Sequence, residues 1–279
     1  MREDIPAGPG RVLAWRHSGL VRLTHWINVL AVGLLLMSGL QIFNAHPSLY
    51  WGEASVFSRP WVTIGAAERN GQPIGVTVIA GRPFETTGVL GWTGAPGARE
   101  NRAFPAWATI PSYRDLASGR RWHFFFAWVF VINGAVYLAS GLASGRLWRT
   151  LAPTRDQLAP RRVWREVVDH ARFRFATGEA ARAYNVLQKA TYLAMVLVVL
   201  PLMVLTGLSM SPGFNAAAPW LPELFGGRQS ARTVHLLCAG ATVLFVVVHV
   251  ALVVASGFGN NMRSMITGRY AIDLDGGPR

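Results

Sequence analysis

The segment Thr233–Phe258, TVHLLCAGATVLFVVVHVALVVASGF, decides the fold of this 279-residue chain. At a rise of about 1.5 Å per residue, a helix of that length crosses roughly 30 Å of hydrocarbon. The segment has no acidic residue, Lys or Arg, but it contains His235 and His249. Their spacing is close to four helical turns, so both project from nearly the same face, about 21 Å apart along the axis. Ionisable side chains inside a membrane indicate function, and this pair predicts ligands for two stacked metal centres.

The composition is typical of a membrane protein. Hydrophobic residues make up 51% of the chain and charged residues 15%, whereas a soluble domain carries about 25% charged residues. The net charge of +13 rests on arginines that flank apolar segments, which favours membrane topology over nucleic-acid binding. The single cysteine, Cys238, lies within the fourth apolar segment, and no C-x-x-C-H motif occurs. A thioether-attached haem and a cysteine-bound iron–sulfur cluster are therefore excluded.

Four apolar segments predict an all-α membrane protein, a four-helix transmembrane bundle that forms one domain over residues 1–279. We expect spans at about 25–43, 122–143, 190–210 and 233–258. Pro201 should kink the third span. The first span follows a basic start, but it is too long for a typical signal peptide, so we expect it to remain uncleaved.

The distribution of arginines predicts the orientation of the spans, because short cytoplasmic loops are rich in Lys and Arg. The segment 144–183 contains Arg146, Arg149, Arg155, Arg161, Arg162, Arg165, Arg172, Arg174 and Arg182. The segment 211–231, after span three, contains only Arg228. We therefore expect an inner-membrane protein whose two termini and 144–183 loop are cytoplasmic, and whose 44–121 loop is periplasmic.

The long periplasmic loop, 44–121, is expected to carry a small hairpin. Val62–Ile64 and Val76–Ile79 read as strands on either side of Asn70-Gly71, although the connection between them is longer than a two-residue turn. The loop either caps the helices or is a docking platform for a periplasmic partner. These two interpretations have equal support from the sequence.

The topology pairs the histidines by depth. His25 opens an outward span and His249 closes an inward one, so both lie near the inner face; His123 and His235 lie near the outer face. Two imidazoles at each level predict axial ligation of two b-type haems, one iron held by His25 and His249 and the other by His123 and His235. Zinc would need three or four ligands at one depth. The alternative is that each histidine is interfacial or hydrogen-bonded within the bundle.

Small and basic residues near these levels fit the same interpretation. Gly39 and Gly141 each lie at the level opposite to the histidine of their own span, where a planar macrocycle needs space. Ordinary packing of small residues between helices explains them equally well. Arg22 and Arg121 are candidates for contacts to haem propionates, although the positive-inside rule also accounts for Arg22.

The chain resembles the bacterial di-haem cytochrome b subunits that accompany nickel–iron hydrogenase, formate dehydrogenase and thiosulfate reductase. The matching motifs are RLTHWIN at 22–28, RWHF at 121–124, YNVLQK at 184–189 and the two histidines of span four. The resemblance implies two haems b, a quinone or quinol site near the cytoplasmic haem, and a periplasmic redox subunit. It also assigns Asn185, Gln188 and Lys189 to the quinone site, where amide and ammonium groups can donate hydrogen bonds to a quinone carbonyl.

The long outer loop departs from the shorter members of that family. It is more similar to the loops of members that accompany molybdenum-dependent sulfite or thiosulfate enzymes, which leaves the partner open. The expected function is electron transfer between the quinone pool and a periplasmic oxidoreductase, with the chain as the electron-transfer subunit of that complex. Whether the chain is an enzyme by itself is open.

Two other functions remain at this point. A quinone-reducing cytochrome b that oxidises superoxide would need an anion-steering pocket at the outer face. A haem-free membrane anchor or transporter would use the histidines as a proton relay, but the absence of Asp and Glu from the spans weakens a pump. A haem spectrum separates the last alternative from the other two.

Overall fold

A computed structural model describes residues 4–172, 174–175, 178 and 183–274 of the chain. It contains four helical segments that are long and apolar enough to cross a membrane: Gly19–Ala45, Leu116–Ala143, Val186–Met210 and Arg228–Ala255. The prediction of a mostly helical membrane protein with four spans is confirmed. Of the arginines that carry the topology argument, Arg182 lies outside the described residues, as does part of the 144–183 loop.

Helices account for the spans and for most of the segments on either side of the third span. They are α1 (Gly19–Ala45), α2 (Leu116–Ala143), α3 (Arg146–Leu151), α4 (Pro160–Ala171), α5 (Val186–Ala194), α6 (Leu200–Met210), α7 (Pro212–Ala217), α8 (Trp220–Glu223), α9 (Arg228–Ala255) and α10 (Phe258–Thr267). A π-helical turn, Met195–Val199, joins α5 to α6 within the third span. This irregularity closely precedes Pro201, which has no N–H to continue the hydrogen-bond ladder.

The fourth span is shorter at its end than predicted. We expected it to reach Phe258, but α9 ends at Ala255. Gly257 adopts a left-handed backbone conformation with φ 108°, and a residue in that conformation cannot continue a right-handed helix. Glycine takes the conformation without steric cost because it has no Cβ. Phe258 begins the separate helix α10.

Short strands form three small sheets that the sequence patterns largely missed. They are β1 (Ile5–Pro6), β2 (Arg11–Trp15), β3 (Ser48–Leu49), β4 (Val62–Arg69), β5 (Gln72–Ile79), β6 (Arg82–Glu85), β7 (Gly91–Thr93), β8 (Glu100–Arg102) and β9 (Arg269–Asp273). The sheets have the strand orders β1-β2-β9, β3-β4-β5-β6 and β7-β8. Every pairing within them is antiparallel.

The hairpin in the 44–121 loop is tighter than we expected. Strands β4 and β5 pair from Val62 with Ile79 to Arg69 with Gln72, so the connection is the two-residue turn Asn70-Gly71. Both turn residues have positive φ, 52° and 75°, which is the type I′ geometry that suits the twist of a hairpin. The prediction that the connection exceeds two residues was wrong, because both strands extend beyond their β-branched residues, β4 to Arg69 and β5 from Gln72.

The chain divides into two compact units. The first comprises Met1–Ile27, Asn133–Leu200 and Ala241–Arg279, and the second comprises Asn28–Ile132 and Pro201–Gly240. In the first unit, β2 pairs with β9, and Arg11 forms a 3.1 Å ion pair with Asp273. The two ends of the described chain therefore meet in one sheet. This pairing agrees with an even number of spans, which would put both ends on one side of a membrane.

In the second unit, a buried arginine attaches the 44–121 loop to helix α1. Arg102 is 4% exposed. Its guanidinium donates to Gln41 Oε1 at 2.8 Å, Thr109 Oγ1 at 2.6 Å and the Ser112 carbonyl at 2.6 Å. A separate apolar core joins Phe43 of α1 to Leu49 of β3, Ile64 of β4 and Ala103. The loop is thus a folded layer rather than an irregular excursion.

Candidate functional site

The structure brings the four span histidines together as two pairs. In the first unit, the ring centroids of His25 and His249 are 6.4 Å apart, with an interplanar angle of 55°. In the second unit, those of His123 and His235 are 6.3 Å apart, with an angle of 66°. These are the pairs that the depth argument predicts. Each pair combines one residue of α9 with one residue of α1 or α2.

Both separations suit two imidazoles bound to opposite sides of one metal. Metal–imidazole bonds of about 2.0–2.1 Å, with about 1.1 Å more from nitrogen to ring centre, put the two ring centres roughly 6.3 Å apart. Within the described residues, no three His, Cys, Asp or Glu side chains come together as a metal site. A bis-histidine haem has this arrangement, because the macrocycle fills the other coordination positions of the iron and the protein needs to supply only two nitrogens.

The hydrogen bonds of the pair predicted to lie near the outer face, His123 and His235, leave both Nε2 atoms free. Ser38 Oγ donates to the Leu34 carbonyl, so it accepts from His123 Nδ1 at 3.1 Å. His235 Nδ1 lies 3.0 Å from the Met203 carbonyl, which is an acceptor only. Both rings therefore carry their proton on Nδ1, and each Nε2 keeps a lone pair for a metal. Such contacts from neighbouring groups orient histidine ligands in metalloproteins.

Small residues make room for the outer rings. A Cβ placed on Gly39 would lie 3.3 Å from His123 Cε1, and one on Gly207 would lie 3.5 Å from His235 Cε1. Gly39 was predicted to pack at this level, whereas Gly207 was not singled out. Thr206, which lies 3.1 Å from His235 Nδ1, was also missed. A Cβ on Gly141 would lie 3.4 Å from the Cβ of Leu147 in α3.

The pair predicted to lie near the inner face, His25 and His249, has aromatic neighbours. His25 Nδ1 is buried and has no hydrogen-bond partner. His249 stacks on Phe245, with centroids 5.7 Å apart and an interplanar angle of 15°. Phe245 contacts Tyr192 edge-on at 6.3 Å, and Tyr192 contacts Tyr184 at 5.4 Å. A continuous run of rings thus leads from the motif residue Tyr184 to an inner histidine.

The two predicted propionate contacts lie in different environments. Arg22 donates to the Ile266 carbonyl, but its Nε is buried without a partner. A buried guanidinium nitrogen of this kind can take an anionic acceptor. Arg121 is exposed and donates to Ser118 Oγ at 2.9 Å. It is therefore a weaker candidate than Arg22 for contact with a buried anion.

A third arginine, Arg232, was missed by the sequence analysis. It lies one turn before His235 in α9, with its guanidinium 5.5 Å from the centre of the Phe43 ring. It donates to the carbonyl of His46, whose Nε2 is buried without a partner. Burial and the nearby Arg232 charge both lower the pKa of His46. The one sequence signal was an arginine at the edge of the fourth apolar segment, three residues before a histidine.

The residues of the predicted quinone site stabilise the start of the third span. Asn185 Oδ1 accepts from the Gln188 N–H at 2.9 Å, and Gln188 Oε1 accepts from the Asn185 N–H at 3.3 Å. This reciprocal pair is a capping box. Lys189 is buried and donates to the Ala152 carbonyl and to Gln157 Oε1, each at 3.1 Å. These contacts do not test the quinone assignment, which stays a prediction.

His170 of α4 is a further residue that the sequence did not point out. Its Nδ1 donates to the Glu166 carbonyl at 2.8 Å, so its Nε2 is the acceptor for Asn185 Nδ2 at 3.2 Å. Arg16 lies above the Tyr184 ring at 5.4 Å, and burial raises the pKa of Tyr184. The YNVLQK motif is therefore in contact with a histidine and an arginine.

Comparison with known proteins gives one family and one curated relative. The family model described as "Prokaryotic cytochrome b561" matches residues 16–268. A "Putative protein-methionine-sulfoxide reductase subunit YedZ1" from Azospira oryzae is 30% identical over 237 residues, which cover 85% of this chain and 89% of the relative. No solved structure matches.

Proposed function

Because the chain belongs to the prokaryotic cytochrome b561 family, we propose that it binds two haems b and passes electrons between the quinone pool and a periplasmic oxidoreductase. Family membership makes it a haem-binding, multi-pass membrane protein of electron transfer. The two-haem assignment is carried by one observation, the 6.3 and 6.4 Å separations of the two histidine pairs. His25 and His249 would hold the inner iron, and His123 and His235 the outer one.

The protein would supply the charges and space around each haem. Gly39 and Gly207 leave room for the outer imidazoles. Arg22 is the candidate propionate contact at the inner level, because its Nε is buried without a partner. Arg232, which forms no ion pair with any described carboxylate, is a better outer candidate than the exposed Arg121. When held by these histidine pairs, haem would supply reversible one-electron chemistry.

Electrons would enter from a quinol at the inner level. The run of rings from Tyr184 through Tyr192 and Phe245 to His249 supports a quinone site at this end of the third span. Asn185, Gln188 and Lys189 remain its proposed residues, with His170 beside them. The relative is described as a reductase subunit, which favours flow from quinol to a periplasmic acceptor enzyme.

The 44–121 layer is the proposed docking surface for that enzyme. Large apolar side chains are exposed on it, among them Phe57 at 76% and Trp107 at 82%. The description of the relative suggests a partner that reduces protein-bound methionine sulfoxide, in place of the sulfite or thiosulfate enzymes that the loop first suggested. The arginine distribution supports an inner-membrane location with both termini and the 144–183 loop in the cytoplasm.

Counting haem in single-histidine variants tests the proposal. Pyridine haemochrome assay and a dithionite-reduced minus air-oxidised spectrum should give two haems b per chain. His249→Ala and His235→Ala should each leave one haem, with different residual spectra. His170→Ala is the matched control, since His170 bonds to protein groups through both nitrogens, and it should keep both haems. One haem in the wild type, or two in either ligand variant, would overturn the assignment.

Electron transfer from quinol to the haems needs a separate measurement. A ubiquinol or menaquinol analogue should reduce the haems of the purified wild-type protein, and His249→Ala should slow that reduction. If dithionite reduces the haems and neither quinol does, the quinone part of the proposal fails while the haem assignment stands.

A further inference from the structure

Helix α4 (Pro160–Ala171) lies outside the four spans but is attached to one of them. At 100° per residue, Val163, Glu166 and His170 share one side of the helix, and all three are partly buried. His170 bonds to Asn185 Nδ2 at 3.2 Å, and Asn185 is the N-cap of α5, where the third span begins. The C-terminal part of α4 is therefore held at the level where the chain enters the membrane.

The next side of α4 is apolar and exposed. Trp164 is 69% exposed and Val167 is 39% exposed. They are three residues apart, so they are neighbours on the helix surface. Leu158, just before the helix, is also more than half exposed. A tryptophan with so much free surface at this level is typical of a membrane interface.

The remaining side is strongly basic. Arg161, Arg162 and Arg165 are exposed, and none of them forms an ion pair with a described carboxylate. Together with Ala159, Glu166 and Asp169 they line a cavity along α4 that is widely open to solvent. The two carboxylates reduce the positive charge of the cavity without cancelling it. Guanidinium groups bind phosphate oxygens in a bidentate manner.

We infer that α4 is a binding site for anionic phospholipid, with Arg161, Arg162 and Arg165 on the head-group phosphate and Trp164 and Val167 against the acyl chains. The order of sides around the helix, protein, then apolar, then basic, is that of an amphipathic helix lying in a membrane surface. A soluble anion would use the arginines but not the adjacent apolar side. A lipid uses both, and basic residues close to a span attract the head groups of anionic lipids.

Lipid counting by native mass spectrometry of the haem-loaded protein in detergent tests this site. Titration with dioleoyl phosphatidylglycerol should give one tightly bound lipid, held at least tenfold more tightly than dioleoyl phosphatidylcholine. Arg162→Gln/Arg165→Gln should weaken that binding by roughly tenfold to thirtyfold, from about a fivefold contribution per basic residue near the surface. Trp164→Ser should weaken it several-fold, and the haem absorption of each variant reports that it is folded.

The matched control removes the same charge elsewhere. Arg59 and Arg82 are exposed in the 44–121 layer, and Arg59→Gln/Arg82→Gln should leave phosphatidylglycerol binding unchanged. Equal affinity for the two lipids, or an equal loss in the control, would overturn the inference. Glycerol 3-phosphate that competes as strongly as the lipid, together with no effect of Trp164→Ser, would mean a soluble-anion site and would also overturn it.

Quenching by lipid with brominated chains gives a second readout. The difference in fluorescence between wild type and Trp164→Phe isolates this tryptophan from the ten others. Brominated phosphatidylglycerol should quench that difference signal, and it should do so less in Arg162→Gln/Arg165→Gln. An unquenched Trp164 would show that its side of α4 faces water, and the lipid site would be wrong.

Discussion

Replacing Gly39 by valine tests whether the fit around His123 holds a haem. A Cβ at this position would already lie 3.3 Å from His123 Cε1 and 3.6 Å from Nδ1, at or inside the ordinary carbon contact distance of about 3.5–4.0 Å. Valine adds two more carbons, and its χ1 is nearly fixed in a helix. The ring therefore has to move, and its hydrogen bond to Ser38 at 3.1 Å has to stretch.

The expected size follows from the cost of overpacking. Inserting extra carbons into a well-packed site costs about 1–3 kcal/mol, which corresponds to roughly a 5- to 150-fold weaker equilibrium for the state that needs the ring in place. Gly39→Val should therefore lose the outer haem during purification and approach one haem b per chain. Gly39→Ala, which needs a shift of only a few tenths of an ångström, should retain two haems with a small spectral change.

The same helix offers a control. An added Cβ at Gly33 would meet nothing within 4 Å, so Gly33→Val should keep two haems per chain. Haemochrome content and the reduced-minus-oxidised spectrum measure both variants. Two haems with an unchanged spectrum in Gly39→Val would refute the reasoning, because the ring of His123 would then tolerate a displacement that iron ligation forbids.

Three other results are expected. Arg102→Met should lower the free energy of unfolding by roughly 2–4 kcal/mol, since it leaves the buried hydrogen-bond partners of Arg102 unsatisfied. Arg69→Met removes only an exposed ion pair with Glu85 and should cost less than about 1 kcal/mol. Denaturant or thermal unfolding of the two variants compares these costs. Asn185→Ala should cost about 1 kcal/mol by removing the N-cap, and Asn185→Asp should restore most of it. Burial lowers the pKa of His17 to about 4, as do the nearby charges of Arg16, His25 and Arg22. The unfolded chain therefore takes up the proton first as the pH drops. The free energy of unfolding should be highest above pH 6.5 and should fall between pH 6.5 and pH 4. The slope of Tm against pH should be smaller in His17→Gln; an equal slope would contradict this.

The spans and the histidine pairs were predictable because simple geometry determines them. Apolar length fixes the existence of a span, and alternation of span direction fixes the depth of each histidine. His235 and His249 needed only the helical repeat. The end of α9 was predicted three residues too late. The uncharged segment continues through Ser256-Gly257 to Phe258, although the helix ends at Ala255.

The groups around the histidines were not predictable in the same way. Ser38, Thr206 and Gly207 are small residues in apolar helices, and nothing in their spacing separates them from ordinary packing residues. Their role depends on which helix lies opposite. The β2–β9 pairing joins residues more than 250 positions apart, and short strands with little alternation give no signal for such a contact.

The two histidine pairs differ in how firmly their rings are held. Both outer rings have Nδ1 bonded to Ser38, Thr206 or the Met203 carbonyl, whereas His25 Nδ1 is buried without a partner. Groups that orient a ligand typically change metal affinity by 10- to 100-fold. The inner haem should therefore be the first lost when the protein is partly stripped of haem. The spectra of His249→Ala and His235→Ala identify the remaining haem, and retention of the inner haem in stripped protein would show that aromatic stacking on His249 outweighs the missing hydrogen bond.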